Sequence, residues 1–123
     1  NISYDGFVVT DEENATASGI VSIANNSTLK NIINKADVNA GVYASGIVNT
    51  ISGQTSITNA YNTGTIESAN AASGLISNIN QNNENITITN CYNNGILISD
   101  NNALIGNIDN NTGTITLSNI LPI

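Results

Sequence analysis

Ile57-Thr58-Asn59-Ala60-Tyr61-Asn62-Thr63-Gly64-Thr65-Ile66 returns as Ile88-Thr89-Asn90-Cys91-Tyr92-Asn93-Asn94-Gly95-Ile96-Leu97. A looser copy, Leu29-Lys30-Asn31-Ile32-Ile33-Asn34-Lys35-Ala36-Asp37-Val38, precedes them, and a short one, Leu117-Ser118-Asn119-Ile120-Leu121, follows. Between these runs lies a second block: Ala17-Ser18-Gly19-Ile20-Val21, Ala44-Ser45-Gly46-Ile47-Val48, Ala72-Ser73-Gly74-Leu75-Ile76, and a weaker Asn102-Ala103-Leu104-Ile105-Gly106. Gly19, Gly46, Gly74 and Ala103 fall 27, 28 and 29 residues apart, and Leu29, Ile57, Ile88 and Leu117 fall 28, 31 and 29 apart. Self-similarity at a period of roughly 20 to 50 residues marks stacked structural repeats. The differences in length are assigned to polar stretches such as Asn80 to Asn85 and none to the apolar blocks, so the blocks stack and the polar stretches loop out.

The residue types point to β structure. Ile, Val and Leu make up most of the 40% hydrophobic content, with one Phe, four Tyr, no Trp and no Met. Branched side chains suit a pleated strand, whereas Asn, Ser and Gly suit tight turns. Apolar residues alternate with polar ones in Thr55 to Asn59, Ile86 to Thr89 and Thr114 to Leu117. A second strand is expected after each Asn-x-Gly turn, at Thr65 to Glu67 and Ile96 to Ile98, and a third in each Gly-apolar-apolar block. Three short strands in about 28 residues make one rung of a β-solenoid. The expected fold is therefore a right-handed parallel β-helix of about four rungs, the hand being that of nearly all parallel crossovers. The whole of 1–123 is read as one solenoid segment.

Stacking converts the repeat into columns. Leu29, Ile57, Ile88 and Leu117 form an inward column, as do Val38, Ile66 and Leu97, while Ile33, Tyr61, Tyr92 and Leu121 stack at a corner. Asn31, Asn59, Asn90 and Asn119 make one amide column and Asn34, Asn62 and Asn93 a second, in which each side chain can bond to the one above and satisfy turn backbone. The turn glycines Gly64 and Gly95 are assigned positive φ, with Ala36 the exception in that column. In the third strand, strict alternation sends Ile20, Ile47, Leu75 and Leu104 inward and leaves Val21, Val48, Ile76 and Ile105 as an outward, association-prone stripe. A corner at the glycine would instead turn both residues of each pair inward.

The charge narrows the partners. Two Lys, no Arg and no His oppose nine acidic residues, a formal charge of −7. Nucleic-acid binding needs a basic footprint that this chain lacks, and electrostatic attachment to anionic lipid is disfavoured for the same reason. No apolar run approaches the roughly 18 residues of a membrane span, so no membrane insertion is expected. Cys91 stands where other copies have Ile32 and Ala60, and is read as a small core residue. With no His and a single Cys, zinc is not expected, and no cofactor is. No column carries the paired carboxylates of glycoside hydrolysis, so no catalytic residue is assigned. Asp11, Glu12 and Glu13 form the one acidic cluster; a solvated charge run and a calcium site both remain open for it.

Asn90 to Gly95, followed by the small-residue-Gly-apolar-apolar element, resembles the GLUG-motif repeats of bacterial surface proteins, which accompany adhesins and secreted immunoglobulin A proteases. The likeness runs from about Asn14 to Leu121. The family pattern Gly-Leu-apolar-Gly is met only loosely: Gly74-Leu75-Ile76 ends in Ser77, Gly46-Ile47-Val48 ends in Asn49, and Ala103-Leu104-Ile105-Gly106 restores the final Gly. The resemblance implies a non-catalytic extracellular or cell-surface module of a bacterial protein, serving as stalk, adhesin repeat or filament-building segment.

Two surfaces are candidates for binding. The residues flanking the first inward column, Thr28, Ser56, Thr58, Thr87, Thr89, Thr116 and Ser118, with Lys30, form two outward hydroxyl ladders on a flat face. Such a face suits ice or carbohydrate, although Thr is also at home on exposed strand. The other candidates are the solenoid ends. Asn1-Ile2 aligns with Asn31-Ile32 and the chain stops at the matching phase, Asn119-Ile120, as expected for part of a longer array or a unit that meets other copies. Open strand edges invite pairing, and Pro122, which cannot donate a strand hydrogen bond, is placed to limit it. Expected partners are thus other copies or flanking repeats, with a host glycan or protein as the alternative.

Overall fold

The structure is a computed structural model describing residues 2–10, 12–80, 83–109 and 112–122. The chain winds in about four coils and contains no helix among these residues. The first coil comprises β1 (Ile2–Tyr4), β2 (Phe7–Val9), β3 (Thr16–Ser18) and β4 (Val21–Asn25). The second comprises β5 (Thr28–Asn34), β6 (Asp37–Ala40), β7 (Tyr43–Ser45) and β8 (Val48–Ser52). In the third, β9 (Thr55–Asn62) and β10 (Ile66–Ser68) lead to a single long β11 (Ala71–Asn80). The fourth repeats this with β12 (Ile86–Asn93), β13 (Leu97–Ile98) and β14 (Asn101–Asp109), and β15 (Ile115–Pro122) opens a fifth. Equivalent strands pair in parallel to make three sheets: β1-β5-β9-β12-β15, then β2-β6-β10-β13, then a third in which β3 and β4 lie under β7 and β8, with β11 and β14 above. The protein is a parallel β-solenoid.

The register matches the repeat. Leu29 pairs with Ile57, Ile57 with Ile88 and Ile88 with Leu117, so the first inward column is real. Ile57 and Ile88 are buried inside it, whereas Leu117, on the last strand, is 52% exposed because no coil covers it. Val38, Ile66 and Leu97 form the second column. Each fully buried aliphatic contributes about 1.5–3 kcal/mol, and these contacts repeat from coil to coil. Cys91 lies beside Ala60 and under Ile120, buried as a core residue. Burial pushes its thiol pKa up, against a smaller opposing effect from backbone hydrogen bonds, so it stays protonated and poorly nucleophilic at neutral pH.

Both amide columns exist, and they do different things. Asn34, Asn62 and Asn93 are buried. Asn34 Nδ2 donates to Asn62 Oδ1 at 2.8 Å, and Asn62 Nδ2 to Asn93 Oδ1 at 2.7 Å. The same Nδ2 groups donate to the carbonyls of Ala36, Gly64 and Gly95, closing the turn two residues ahead. The other column is outside: Asn59 Nδ2 donates to Asn31 Oδ1 at 2.9 Å and Asn119 Nδ2 to Asn90 Oδ1 at 2.6 Å.

Two expectations are corrected, and one choice between two readings is decided. The positive φ assigned to Gly64 and Gly95 falls on the outer asparagines instead, with φ of 57°, 57°, 54° and 55° at Asn31, Asn59, Asn90 and Asn119. Asn tolerates this left-handed conformation better than other non-glycine residues do. It bends each strand of the first sheet, sending Ile33, Tyr61 and Tyr92 outward, where the two tyrosine rings stack with centroids 4.3 Å apart. Glycine at 64 and 95 answers crowding. A Cβ on Gly64 would run into the carbonyl of Ala36, and one on Gly95 into that of Gly64.

The choice left open for the apolar pairs falls to the corner. Val48 and Ile76 are fully buried beside Ile47 and Leu75, so the outward stripe does not exist and the corner at the glycine turns both residues into the core. The second correction concerns length. Ser73 pairs with Ala103 and Ile76 with Ile105, so the fourth coil lacks one residue inside the apolar block and Gly74 has no counterpart there.

The outer column gives a test. Asn59→Val is expected to cost about 1–3 kcal/mol, because a β-branched residue is strained at positive φ, while Asn59→Gly should stay within about 1 kcal/mol of the parent. Urea midpoints measure both; equal tolerance of the two would remove the left-handed bend as the reason for asparagine.

Candidate functional site

The hydroxyl face assembles as expected from the sequence. Thr28, Ser56, Thr87 and Thr116 stand in one column, and Lys30, Thr58, Thr89 and Ser118 in the next. Their side chains are exposed or half-buried. Rows repeat about every 4.8 Å and the two columns stand about 7 Å apart by strand geometry. The face is only two columns wide, because the left-handed asparagine bends the chain directly after Lys30, Thr58, Thr89 and Ser118. Lys30 replaces a hydroxyl in the second column, and Ser stands for Thr at 56 and 118.

Glu12 and Glu13 of the acidic cluster are exposed on the loop between β2 and β3, and Asp11 lies outside the described residues. Among the described residues, no three His, Cys, Asp or Glu side chains are grouped as a metal site.

A second surface comes from the corner at the glycine. Because both members of each apolar pair point inward, the third sheet is concave on its outer side, and a groove runs across the coils there. One lobe, about 620 Å³, is lined by Tyr43, Asn70, Ser77, Asp100, Asn101 and Asn107. A second, about 270 Å³, shares Tyr43, Ser77 and Asn107 and adds Thr16, Asn49, Asn78 and Asp109. The shared residues make the two lobes neighbours on this face.

The missing residue of the fourth coil shapes the floor. It brings Gly106 over Ser77, so close that a Cβ on Gly106 would strike the Ser77 carbonyl and approach Ser73 Oγ to 3.0 Å. Ser77 is thereby 6% exposed, and its Oγ has no hydrogen-bond partner. Asn78, which lines the smaller lobe, likewise has a buried and unpartnered Oδ1. Other polar groups are already engaged: Asn49 Nδ2 donates to Thr16 Oγ1 at 3.2 Å, and Asn101 Nδ2 to the Asn70 carbonyl at 3.1 Å. Neither lysine lines the groove. The groove was not foreseen from the sequence.

A third recess, lined by Ile2, Ser3, Asn31, Ile33, Asn59 and Tyr61, lies at the edge beside β1 and is mainly apolar. One face of the Tyr61 ring is covered by Tyr92, so that stack is packing rather than an open aromatic platform.

Compared with known proteins, the chain matches no family model, no curated protein and no solved structure.

Proposed function

We propose that the chain is a non-catalytic structural repeat module of a bacterial surface protein, acting outside the cell as a stalk, adhesin repeat or filament-building segment. The observation that supports this most directly is the continuity of its columns. Aliphatic and amide positions recur from coil to coil, so successive coils present closely similar surfaces to one another. Length then grows by about 4.8 Å per coil without any new contact being needed, which is what a spacer requires. The resemblance to GLUG-motif repeats points the same way.

Flanking repeats or other copies are the proposed partners at the ends. Geometry sets a condition on self-association. Ile2–Tyr4 and Ile120–Pro122 occupy the same place in the first sheet, since both lie in register with the strand segment represented by Ile32–Asn34. A second copy that stacked its β2 and β3 on β13 and β14 would need one of these segments to give way.

Two measurements test the proposal. Antibodies against the folded chain should label intact producing cells, and labelling that requires permeabilisation overturns the surface assignment. The alternative use of the hydroxyl face predicts thermal hysteresis with faceted ice crystals. The structural reading expects neither, and a clear positive would replace it.

A further inference from the structure

We propose that the groove on the outer side of the third sheet binds a neutral oligosaccharide. This goes beyond the structural role and does not depend on it.

The chemistry of the lining selects the ligand class. Side-chain amides both donate and accept, hydroxyls do likewise, and carboxylates accept two hydrogen bonds at once. Asn70, Asn101, Asn107, Asp100 and Asp109 therefore match the adjacent hydroxyls of a sugar, each of which also donates and accepts. Tyr43 stands where the two lobes meet and supplies the one aromatic side chain of the groove, an apolar surface with a polar tip. An apolar peptide or lipid would leave these polar groups desolvated without partners, which is costly. An anionic ligand would face Asp100 and Asp109 with no cation nearby.

Ser77 Oγ and Asn78 Oδ1 are buried behind the surface of the groove, so the polar contacts to a ligand fall to the exposed side chains of Asn70, Asp100, Asn101, Asn107 and Asp109. The groove draws residues from all four coils, Thr16 to Asn107, and so runs about 14 Å along the solenoid. That length holds a short oligosaccharide rather than a single sugar.

The experiment is a titration of the isotope-labelled chain, followed by amide chemical shifts. Four probes are used at millimolar concentration: maltotriose, cellotriose, the trimer of N-acetylglucosamine, and trigalacturonate as the acidic counterpart. At least one neutral trisaccharide is expected to give saturable shifts centred on Tyr43, Ser77, Asn78 and Asn107, with trigalacturonate giving none there. Asn107→Ala, at an exposed position, should weaken binding about five- to tenfold, the loss of one well-placed hydrogen bond. Tyr43→Ala should weaken it at least as much, and Glu67→Gln, exposed on the second sheet outside the groove, should leave it unchanged. The proposal is overturned if no neutral probe gives saturable shifts, if the shifts map to the hydroxyl face, if trigalacturonate binds as well as its neutral counterparts, or if Asn107→Ala binds like the parent. Water in the recess in place of a ligand gives the first of these outcomes.

Discussion

Asn62→Leu is expected to destabilise the protein by about 3–5 kcal/mol, a large share of the roughly 5–15 kcal/mol that holds a domain together. Leucine nearly matches asparagine in size but can neither donate nor accept. The Asn62 side chain donates to Asn93 Oδ1 and to the Gly64 carbonyl and accepts from Asn34 Nδ2, all in the dry interior. Its removal takes the donor from the Gly64 carbonyl and leaves Asn34 Nδ2 and Asn93 Oδ1 with only the Ala36 carbonyl and the Gly95 N–H as partners. That is a buried loss of about 1–3 kcal/mol for the unsatisfied group and less for the other two. Asn119→Ala serves as the control, since its amide bonds to Asn90 on the exposed column. Urea denaturation followed by circular dichroism reads both. Similar midpoint shifts for the two would mean that the inner ladder contributes nothing special.

The second large effect is expected at Gly46. A Cβ there would lie 2.6 Å from Asn62 Cγ and closer still to the Gly74 carbonyl oxygen. Neither neighbour can retreat, because one is backbone of the next coil and the other is an asparagine held by the ladder. Gly46→Ala is therefore expected to cost about 3 kcal/mol, at the upper end of overpacking penalties. Gly46 has no positive φ, so the cost comes from crowding alone. Gly19 against Asn34 and Gly74 against Asn93 repeat the arrangement. The two recurring blocks of the sequence are thus the two halves of one contact. Asn62→Ala combined with Gly46→Ala should cost less than the sum of the single changes by about 0.5–3 kcal/mol; strict additivity would show that the two residues do not press on each other.

Most of the fold was legible because a solenoid writes its register into its period. Aligning Ile57 with Ile88 by eye is the same act as pairing β9 with β12, and the hydroxyl ladders followed from period-two alternation beside those residues. What could not be read was the reason for each small residue. Asn59 and Asn62 look alike in the repeat, yet one bends the backbone and the other fills the interior. Gly64 looked like a turn residue and is in fact a point of close approach. The missing residue near Ala103 was masked because an alanine can stand under either a serine or a glycine. The groove left no local mark at all. Its walls come from residues far apart in sequence, of the same Asn, Ser and Thr types that fill every loop, and only the inward turn of Val48 and Ile76 brings them to one concave surface.

The two asparagine columns point their N–H groups in opposite directions. Inside, each bonded amide donates toward the C-terminal end, Asn34 to Asn62 to Asn93. Outside, Asn59 donates back to Asn31, and Asn119 back to Asn90. An α-helix aligns its peptide dipoles and so acquires one positive and one negative pole. Here the side-chain dipoles oppose one another, as strand dipoles largely do within a sheet. Each coil that extends both ladders therefore adds side-chain dipoles of opposite sense, so a longer rod does not line up all its amides in one direction as a helix does.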